Sequence, residues 1–240
     1  MSQLKLGDID VVILCGGLGK RLRSVDSKNP KAMVKFNDRP FMDILLEQLK
    51  GQGLRRFVLC TGYKAGDIEE YYKKNNQGLE IVFSREEEPL GTGGAIRNAS
   101  ELIQSSPFFA LNGDCYSHVD YKALLHYHFA RNSTATLTVA KVVDNKDFGS
   151  IDLDPDNRIL AFREKQELKG VSYVNVGIYC YNKEIFSYMP PEKNFSLEYD
   201  VFPKLCGQDF FGHVVEEGFL DIGTPERFEK AKNLFAKEDK

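Results

Sequence analysis

This sequence lacks the features that mark several common classes of protein. Its formal net charge of −3 leaves no basic excess for binding a nucleic acid backbone. No apolar run approaches the roughly 18 residues of a membrane-spanning helix, and residues 1–10 contain no apolar signal core. These absences predict a cytoplasmic protein that binds neither nucleic acid nor a membrane.

Paired cysteines are also missing. The five cysteines are odd in number, lie far apart and include no C-x-x-C pair, which argues against a disulfide framework and a zinc site. Cys15, Cys60 and Cys180 end or lie within apolar runs, so we expect buried thiols there. Hydrophobic residues make up 42% of the 240 residues, and a core of that size needs neither disulfides nor a structural metal.

The first half of the chain alternates apolar runs of strand length with segments of helical period. Strands are predicted at residues 9–15, 57–60, 79–83 and 108–111, and helices at residues 41–49, 67–74 and 95–103. This β-α-β-α order predicts an α/β fold in which helices cover both faces of a parallel sheet.

The second half has a different pattern. Strands are predicted at residues 134–143, 149–153, 159–163 and 174–181, with short antiparallel connections, and a closing helix at residues 225–235 with Thr224 as N-cap. No repeat, low-complexity stretch or Pro/Gly/Ser linker interrupts the chain. We therefore expect a single domain over residues 1–240, with a mixed sheet and no C-terminal β-helix domain.

A glycine-rich loop follows the first predicted strand. It contains three glycines and three basic residues, namely Gly16, Gly17, Gly19, Lys20, Arg21 and Arg23. Glycines let backbone N–H groups approach an anion closely, and the basic side chains add positive charge. At the carboxyl end of a strand, such a loop suits a triphosphate.

Two familiar phosphate-binding motifs do not fit this loop. A dinucleotide-binding G-x-G-x-x-G fingerprint would need glycine at Leu22. A Walker A loop would need glycine at Leu14 and serine or threonine at Arg21. The spacing therefore argues against an NAD-binding oxidoreductase and against a P-loop enzyme.

The segment over residues 14–31 resembles the N-terminal signature of the sugar-1-phosphate nucleotidyltransferases, roughly G-G-x-G-T-R-L followed by P-K-P. The matching residues are Gly16, Gly17, Gly19, Arg21, Leu22, Pro30 and Lys31. Lys20 replaces the usual threonine, and Ala32 replaces the proline after the lysine. The resemblance implies a Rossmann-like nucleotidyltransferase fold, with a central mixed, mostly parallel sheet between two helical layers.

Further segments match this family in order, at residues 89–95, 111–114, 162–165, 175–177 and 221–225. A carboxylate that follows a glycine at the end of a buried strand, as Asp114 does, is well placed to hold Mg²⁺. The resemblance implies that Asp221 shares this ion with Asp114. Magnesium is thus the expected cofactor.

The four histidines form no recognisable motif, and we expect them to be surface or core residues.

The resemblance also assigns roles to individual residues. It implies nucleotide binding by Leu14, Cys15, Gly16, Gly17, Gly19, Lys20, Pro89, Gly91, Thr92 and Gly113. It implies sugar-phosphate binding by Gly149, Glu164, Lys165 and Asn175. Two residues are expected to be catalytic: Arg21 would stabilise the departing pyrophosphate, and Lys31 would contact the α-phosphate.

The implied reaction joins a nucleoside monophosphate from an NTP to a sugar 1-phosphate and releases pyrophosphate. The chain looks most like D-glycero-α-D-manno-heptose 1-phosphate guanylyltransferases at three places, its start, residues 88–95 and residues 219–225. Those enzymes use GTP and serve bacterial surface polysaccharide synthesis. Mannose-1-phosphate guanylyltransferases come next, and glucose-1-phosphate nucleotidyltransferases are further away. Relatives are often dimers or tetramers, so the resemblance also allows a homo-oligomer.

A second class of function stays open at this point, a non-catalytic nucleotide-sugar sensor built on the same fold. The complete set of charged residues argues against a sensor, which has no need to keep all of them. This set is Arg21, Lys31, Asp114, Lys165 and Asp221. Nothing in the residues alone fixes the base, because backbone groups often read it.

Overall fold

A computed structural model describes residues 5–17, 22, 29–145, 149–163, 168–216 and 219–238. The strands are β1 (Asp10–Leu14), β2 (Lys35–Phe36), β3 (Arg39–Pro40), β4 (Arg56–Thr61), β5 (Glu80–Arg85), β6 (Phe108–Asn112), β7 (Cys115–Ser117), β8 (Ala135–Asn145), β9 (Ser150–Leu153), β10 (Ile159–Arg163), β11 (Leu168–Tyr181), β12 (Phe210–Val215) and β13 (Phe219–Asp221). The α-helices are α1 (Phe41–Gly51), α2 (Ala65–Lys74), α3 (Gly91–Asn98), α4 (Tyr121–Ala130), α5 (Phe202–Leu205) and α6 (Pro225–Glu238).

Nine of these described strands form one mixed sheet in the order β10-β9-β11-β6-β1-β4-β5, with β8 beside β11 and β12 beside β8. β1 pairs in parallel with both β4 and β6, and β4 pairs in parallel with β5. β11 runs antiparallel to β6, β8 and β9. The predicted α/β fold with a central mixed sheet is confirmed, and the carboxyl ends of β1, β4 and β6 meet at one edge.

The two faces of the sheet pack against separate apolar clusters. Val11 and Ile13 of β1 join the cluster that contains apolar residues of α1, α2 and α4. Val12, between them, joins the cluster that contains residues of α3 and α5. Successive side chains of a strand point to opposite faces, so this alternation gives three layers. A third cluster packs Phe228 of α6 against Phe36 of β2.

The helix predicted at residues 95–103 has different limits. α3 begins at Gly91 and ends at Asn98, and a short 3₁₀ turn (Ser100–Leu102) follows it. The helix starts inside the glycine run because the amides of Gly93 and Gly94 bond to Phe195 O, a contact remote in sequence. The predicted closing helix and its cap are confirmed, since the Arg227 amide donates to Thr224 Oγ1 at 3.3 Å.

Several elements do not follow from the sequence pattern used above. The largest is α4, where Asp120 accepts a hydrogen bond from the Ala123 amide as N-cap. Its buried face combines Tyr121, Leu124 and Leu125 with His128, which is fully buried. The thiols predicted to be buried at Cys15, Cys60 and Cys180 are buried. None of the described helices combines the length and the apolar character that crossing a bilayer requires.

Burial of His128 makes stability depend on pH. The imidazole lies 2.9 Å from Thr136 Oγ1, and desolvation lowers its pKa from 6.5 to about 4. The unfolded chain therefore takes up a proton on this residue before the folded protein does, and stability falls as pH drops from 6.5 towards 4. By pH 5 this group should cost about 2 kcal/mol of the free energy of unfolding.

Urea unfolding at pH 7 and pH 5 measures this effect. His128→Gln should reduce the difference in unfolding free energy between the two pH values, while His126→Gln, on the exposed side of the same helix, should not. Part of the difference in unfolding free energy should persist in this variant, because burial also lowers the pKa of His213. An unchanged pH difference in His128→Gln would contradict the prediction.

Candidate active site

The segments that follow β1, β4, β5 and β6 surround one cleft at the carboxyl edge of the parallel strands. The cleft has a volume of about 720 Å³. Its described lining is Leu14, Cys15, Gly16, Gly17, Lys31, Ala32, Gly62, Tyr63, Glu86, Glu87, Glu88, Pro89, Leu90, Gly91, Thr92, Ala95, Asn112, Gly113, Asp114 and Gly223. Ligands of open α/β sheets bind at such an edge, so this cleft is the candidate active site.

The first glycine loop forms one wall of the cleft. Four residues predicted to bind nucleotide are in it: Leu14, Cys15, Gly16 and Gly17. The loop is held by backbone bonds, from the Cys15 amide to Cys60 O at 3.1 Å and from the Tyr63 amide to Gly16 O at 3.1 Å. Burial raises the pKa of the Cys15 thiol to about 12, so it stays protonated. The predictions for Gly19, Lys20 and Arg21 lie outside the described residues.

The second glycine loop also reaches the cleft, through Pro89, Gly91 and Thr92. Its remaining glycines have a packing role. A Cβ on Gly94 would clash with Lys193 O, and one on Gly93 would clash with the Phe195 ring. Glycine is therefore required here because the 193–195 segment packs directly against the loop.

Thr92 is held from behind by the same part of the chain. Its hydroxyl donates to Glu198 Oε2 at 2.7 Å and accepts from the Leu197 amide at 2.9 Å. Ser196 Oγ donates to the same Glu198 oxygen at 2.6 Å. These bonds fix the orientation of the Thr92 side chain at the cleft wall.

Lys31, Asp114 and Asp221 converge beside the first glycine loop. Lys31 Nζ forms an ion pair with Asp114 Oδ2. Asp221 lies opposite Cys115 in the β13–β7 pair, and the Ile222 amide donates to Asp114 O at 3.0 Å. Gly223 lines the cleft, and a Cβ on it would lie 2.5 Å from Asp221 Oδ1 and 3.2 Å from Lys31 Nζ. The three charged groups therefore meet at one corner of the cleft, where Asp221 lies next to Gly223 without lining the cleft itself.

A fourth charged residue belongs to this corner. Arg227, from the first turn of α6, donates to Asp221 Oδ2 at 2.7 Å. The buried Cys115 thiol lies among these groups, and burial, followed by the charges of Asp114 and Asp221, raises its pKa. No motif in the sequence pointed to Arg227, because its contact depends on the turn between β13 and α6.

The carboxylates of Asp114 and Asp221 fit a magnesium ion. Mg²⁺ is usually bound by one or two carboxylates together with substrate phosphates, and keeps several water ligands. No group of three or more His, Cys, Asp or Glu residues that could hold a metal occurs among the described residues. Asp114 and Asp221 offer the one or two carboxylates that such an ion takes from a protein.

Four residues were predicted to bind the sugar phosphate. Two of them lie outside the described residues, and the other two do not line this cleft. Glu164 and Lys165 lie outside the described residues. Gly149 is buried next to β9, and neither it nor Asn175 lines the 720 Å³ cleft. Asn175 Nδ2 donates to the Tyr179 hydroxyl at 2.8 Å, and its Oδ1 accepts from the Gly177 amide at 2.9 Å. Its amide is thus engaged within β11.

Several polar residues of the cleft were not predicted as site residues from the sequence, and Glu86 is one of them. Glu86 follows β5, accepts a bond from the Leu90 amide at 3.2 Å, and has its other oxygen 2.8 Å from the position of a Gly16 Cβ. Burial raises the pKa of this carboxyl group, and the Leu90 amide opposes that rise. The acidic run Glu86-Glu87-Glu88 before the second glycine loop was the available signal.

Comparison with known proteins shows one family to which this chain is similar. The family model described as "Nucleotidyl transferase" matches residues 10–238. The chain is 35% identical to a D-glycero-alpha-D-manno-heptose 1-phosphate guanylyltransferase of Aneurinibacillus thermoaerophilus, over 93% of this chain and 97% of that protein. It is 34% identical to a mannose-1-phosphate guanylyltransferase of Mycobacterium tuberculosis, over 92% of this chain and 62% of that protein.

A solved structure is similar over the same extent. HddC from Yersinia pseudotuberculosis complexed with GMP-PN is 39% identical, with a TM-score of 0.84 over 95% of this chain and 99% of that one. The family model spans nearly the whole chain, including both glycine loops, Asp114 and Asp221. This chain is an enzyme that belongs to the nucleotidyl transferase family.

Proposed function

We propose that this enzyme transfers GMP from GTP to D-glycero-α-D-manno-heptose 1-phosphate, giving GDP-heptose and pyrophosphate. The observation that carries the proposal is the meeting of Lys31, Asp114 and Asp221 in a cleft that two glycine loops line. The similar proteins support the choice of substrates, since they are named as heptose and mannose guanylyltransferases. Mannose 1-phosphate is the alternative acceptor, and glucose 1-phosphate comes after it.

The reaction needs little activation of its nucleophile. An oxygen of the sugar 1-phosphate attacks the α-phosphorus, and the bond from that phosphorus to the bridging oxygen breaks as pyrophosphate leaves. A phosphate monoester has a second pKa of about 6, so the attacking group is already mostly dianionic near neutral pH. Repulsion between the two anions is the larger obstacle, and positioning together with charge neutralisation must overcome it.

The described residues can supply this neutralisation. Lys31 Nζ is paired with Asp114 and only 15% of its side chain is exposed, so it is held at the edge of the cleft. We expect it to move from Asp114 to the α-phosphate when the nucleotide binds. A magnesium ion held by Asp114 and Asp221 would neutralise phosphate charge and polarise the reacting phosphorus. Arg21 is assigned to the departing pyrophosphate and Lys165 to the attacking phosphate.

Further parts of the proposal follow from the reaction. The enzyme would act as a single domain in the cytoplasm, where GTP is available, and would supply an activated sugar for bacterial surface polysaccharides. A homo-oligomer is compatible with this role. Glu164, Gly149 and Asn175 complete the proposed acceptor side of the site.

Pyrophosphate release measured with a panel of NTPs and sugar 1-phosphates tests the reaction. The panel pairs GTP, ATP, CTP, UTP and dTTP with heptose, mannose and glucose 1-phosphates. GTP with the heptose phosphate should give the highest kcat/KM. If no pair releases pyrophosphate although nucleotide sugars bind, the chain is a sensor and the proposal is wrong.

Glu86 is our candidate for reading the guanine base. Guanine presents two adjacent N–H donors, N1–H and the 2-amino group, and a carboxylate can accept from both. Inosine lacks the 2-amino group and offers only one of them. Sites built to bond a substrate donor reject analogues without it. The wild-type enzyme should therefore prefer GTP to ITP.

The replacement Glu86→Gln should lower kcat/KM for GTP by about 10- to 100-fold and narrow the ratio between GTP and ITP. Glu88→Gln, a change of the same chemistry two residues away in the same cleft wall, is the control. Steady-state kinetics with both nucleotides measure the ratio. An unchanged ratio in Glu86→Gln would assign the base contact to another group.

A further inference from the structure

Arg227 pairs with one of the two carboxylates proposed to hold the metal. Its Nη1 lies 2.7 Å from Asp221 Oδ2, and the exposed fractions of the two side chains are 18% and 15%. Another ion pair of the same helix differs, because Lys230 and Glu226, at 2.9 Å, have side chains 68% and 79% exposed. An exposed pair of that kind contributes little to stability. The pair formed by Arg227 is shielded from solvent and lies next to Gly223, which lines the cleft.

The position of Arg227 in its helix is electrostatically unfavourable. α6 begins at Pro225, and the Arg227 amide donates to the N-cap residue Thr224. The amino end of a helix carries a partial positive charge, so acidic side chains are favoured in its first turn and basic ones are disfavoured. An arginine here needs a compensating partner, and Asp221 provides it. The electrostatic preferences of a helix do not account for an arginine in the first turn, whereas the ion pair with Asp221 does.

The two oxygens of Asp221 have separate environments. Oδ2 is held by Arg227, on the side of α6. Oδ1 accepts a hydrogen bond from the Gly223 amide and lies on the side of Lys31, as the position of a Gly223 Cβ between them shows. The carboxylate therefore cannot rotate without breaking bonds at both oxygens. Oδ1 is thus the oxygen on the side of Lys31, which is itself paired with Asp114.

We infer that Arg227 is a positioning residue, which fixes Asp221 so that Oδ1 is presented to a divalent cation. This inference rests on the metal-binding role proposed above for Asp221. Groups that hydrogen-bond to a metal ligand orient it, and their loss typically weakens metal affinity by about 10- to 100-fold. The positive charge of Arg227 acts in the opposite direction by repelling the cation, so the sign of the measured change separates orientation from simple charge compensation.

Binding of Mn²⁺ to the full chain tests the inference without relying on turnover; one equivalent of a non-hydrolysable GTP analogue is present, because the ion is expected to be held by carboxylates and phosphates together, and the analogue alone is the blank. Free Mn²⁺ is measured by electron paramagnetic resonance during titration of the wild type and of Arg227→Ala, Arg227→Lys and Lys230→Ala. Arg227→Ala should raise the Kd by about 10- to 100-fold, Arg227→Lys should restore part of the affinity, and Lys230→Ala should match the wild type. Melting curves in excess EDTA show whether each variant is folded.

The possible outcomes are distinct. An unchanged or lower Kd in Arg227→Ala would overturn the inference, because it would leave Arg227 as a structural pair or a plain counter-charge. If Arg227→Ala fails to fold, Arg227→Met decides, because it keeps a long side chain and removes the donors: an unchanged or lower Kd in that variant would also overturn the inference. Asp221→Asn is titrated alongside. If it binds Mn²⁺ as the wild type does, Asp221 is not a ligand and the inference fails, while pyrophosphate release still tests the proposed reaction separately.

Discussion

Replacing Lys31 by alanine should lower kcat at least about 100-fold, the cost of losing one group that stabilises charge in a transition state. In the described structure the Lys31 ammonium group lies at the corner of the cleft shared by Asp114 and Asp221. Among the described residues that line the cleft, Lys31 is the only one with a basic side chain. Because negative charge builds on the α-phosphate during transfer, its loss should act on kcat more than on KM.

Pyrophosphate release at saturating substrates measures this effect. Lys35→Ala is the matched control, because Lys35 is an exposed lysine on β2, four residues further along the chain. Its kcat should equal that of the wild type. Melting temperatures of both variants show whether the fold is kept. Near-normal turnover in a folded Lys31→Ala variant would refute its assignment to the α-phosphate.

Replacing Asp114 by asparagine should make the enzyme depend on much higher magnesium. Loss of groups that only support a metal ligand costs about 10- to 100-fold, so loss of a ligand itself should shift half-saturating Mg²⁺ by about 100-fold or more. Asparagine keeps the shape of the side chain and removes its charge. The change therefore reports on the carboxylate rather than on packing at the end of β6.

A magnesium titration of the transfer reaction gives the half-saturating concentration for both proteins. Asp114→Asn also leaves Lys31 without its partner, so the double variant Lys31→Ala/Asp114→Asn separates the two effects. Coupled residues give a double variant whose loss differs from the sum of the single losses. Unchanged activity of Asp114→Asn at low magnesium would remove Asp114 from the metal site.

Sequence motifs predicted much of the candidate site because they occur at the ends of buried strands. The first glycine loop follows a short apolar run directly, and Gly113 and Asp114 come within three residues of the end of another. Carboxyl ends of neighbouring parallel strands meet at one edge, so residues remote in sequence could be expected in one cleft. The structure brings Lys31, Asp114 and Asp221 together there, although their roles in the reaction stay predictions.

Contacts between distant segments explain what was missed. The start of α3 depends on Phe195 O, and the need for glycine at Gly94 depends on Lys193. The same motif therefore serves packing as well as the cleft wall. The sequence of α4 shows no distinct apolar stripe, and its buried face includes His128, a polar residue that sequence patterns do not count as core.

The order of the amino acids by itself determined the α/β fold, the two glycine loops and the acidic and basic residues offered at the strand ends, because these depend on local periodicity and spacing. Only the tertiary structure decided that Glu86 faces the first loop and that Arg227 holds Asp221. Both contacts join segments whose relative placement is set by packing against the sheet. No local pattern encodes that placement, since it results from the burial of many side chains at once.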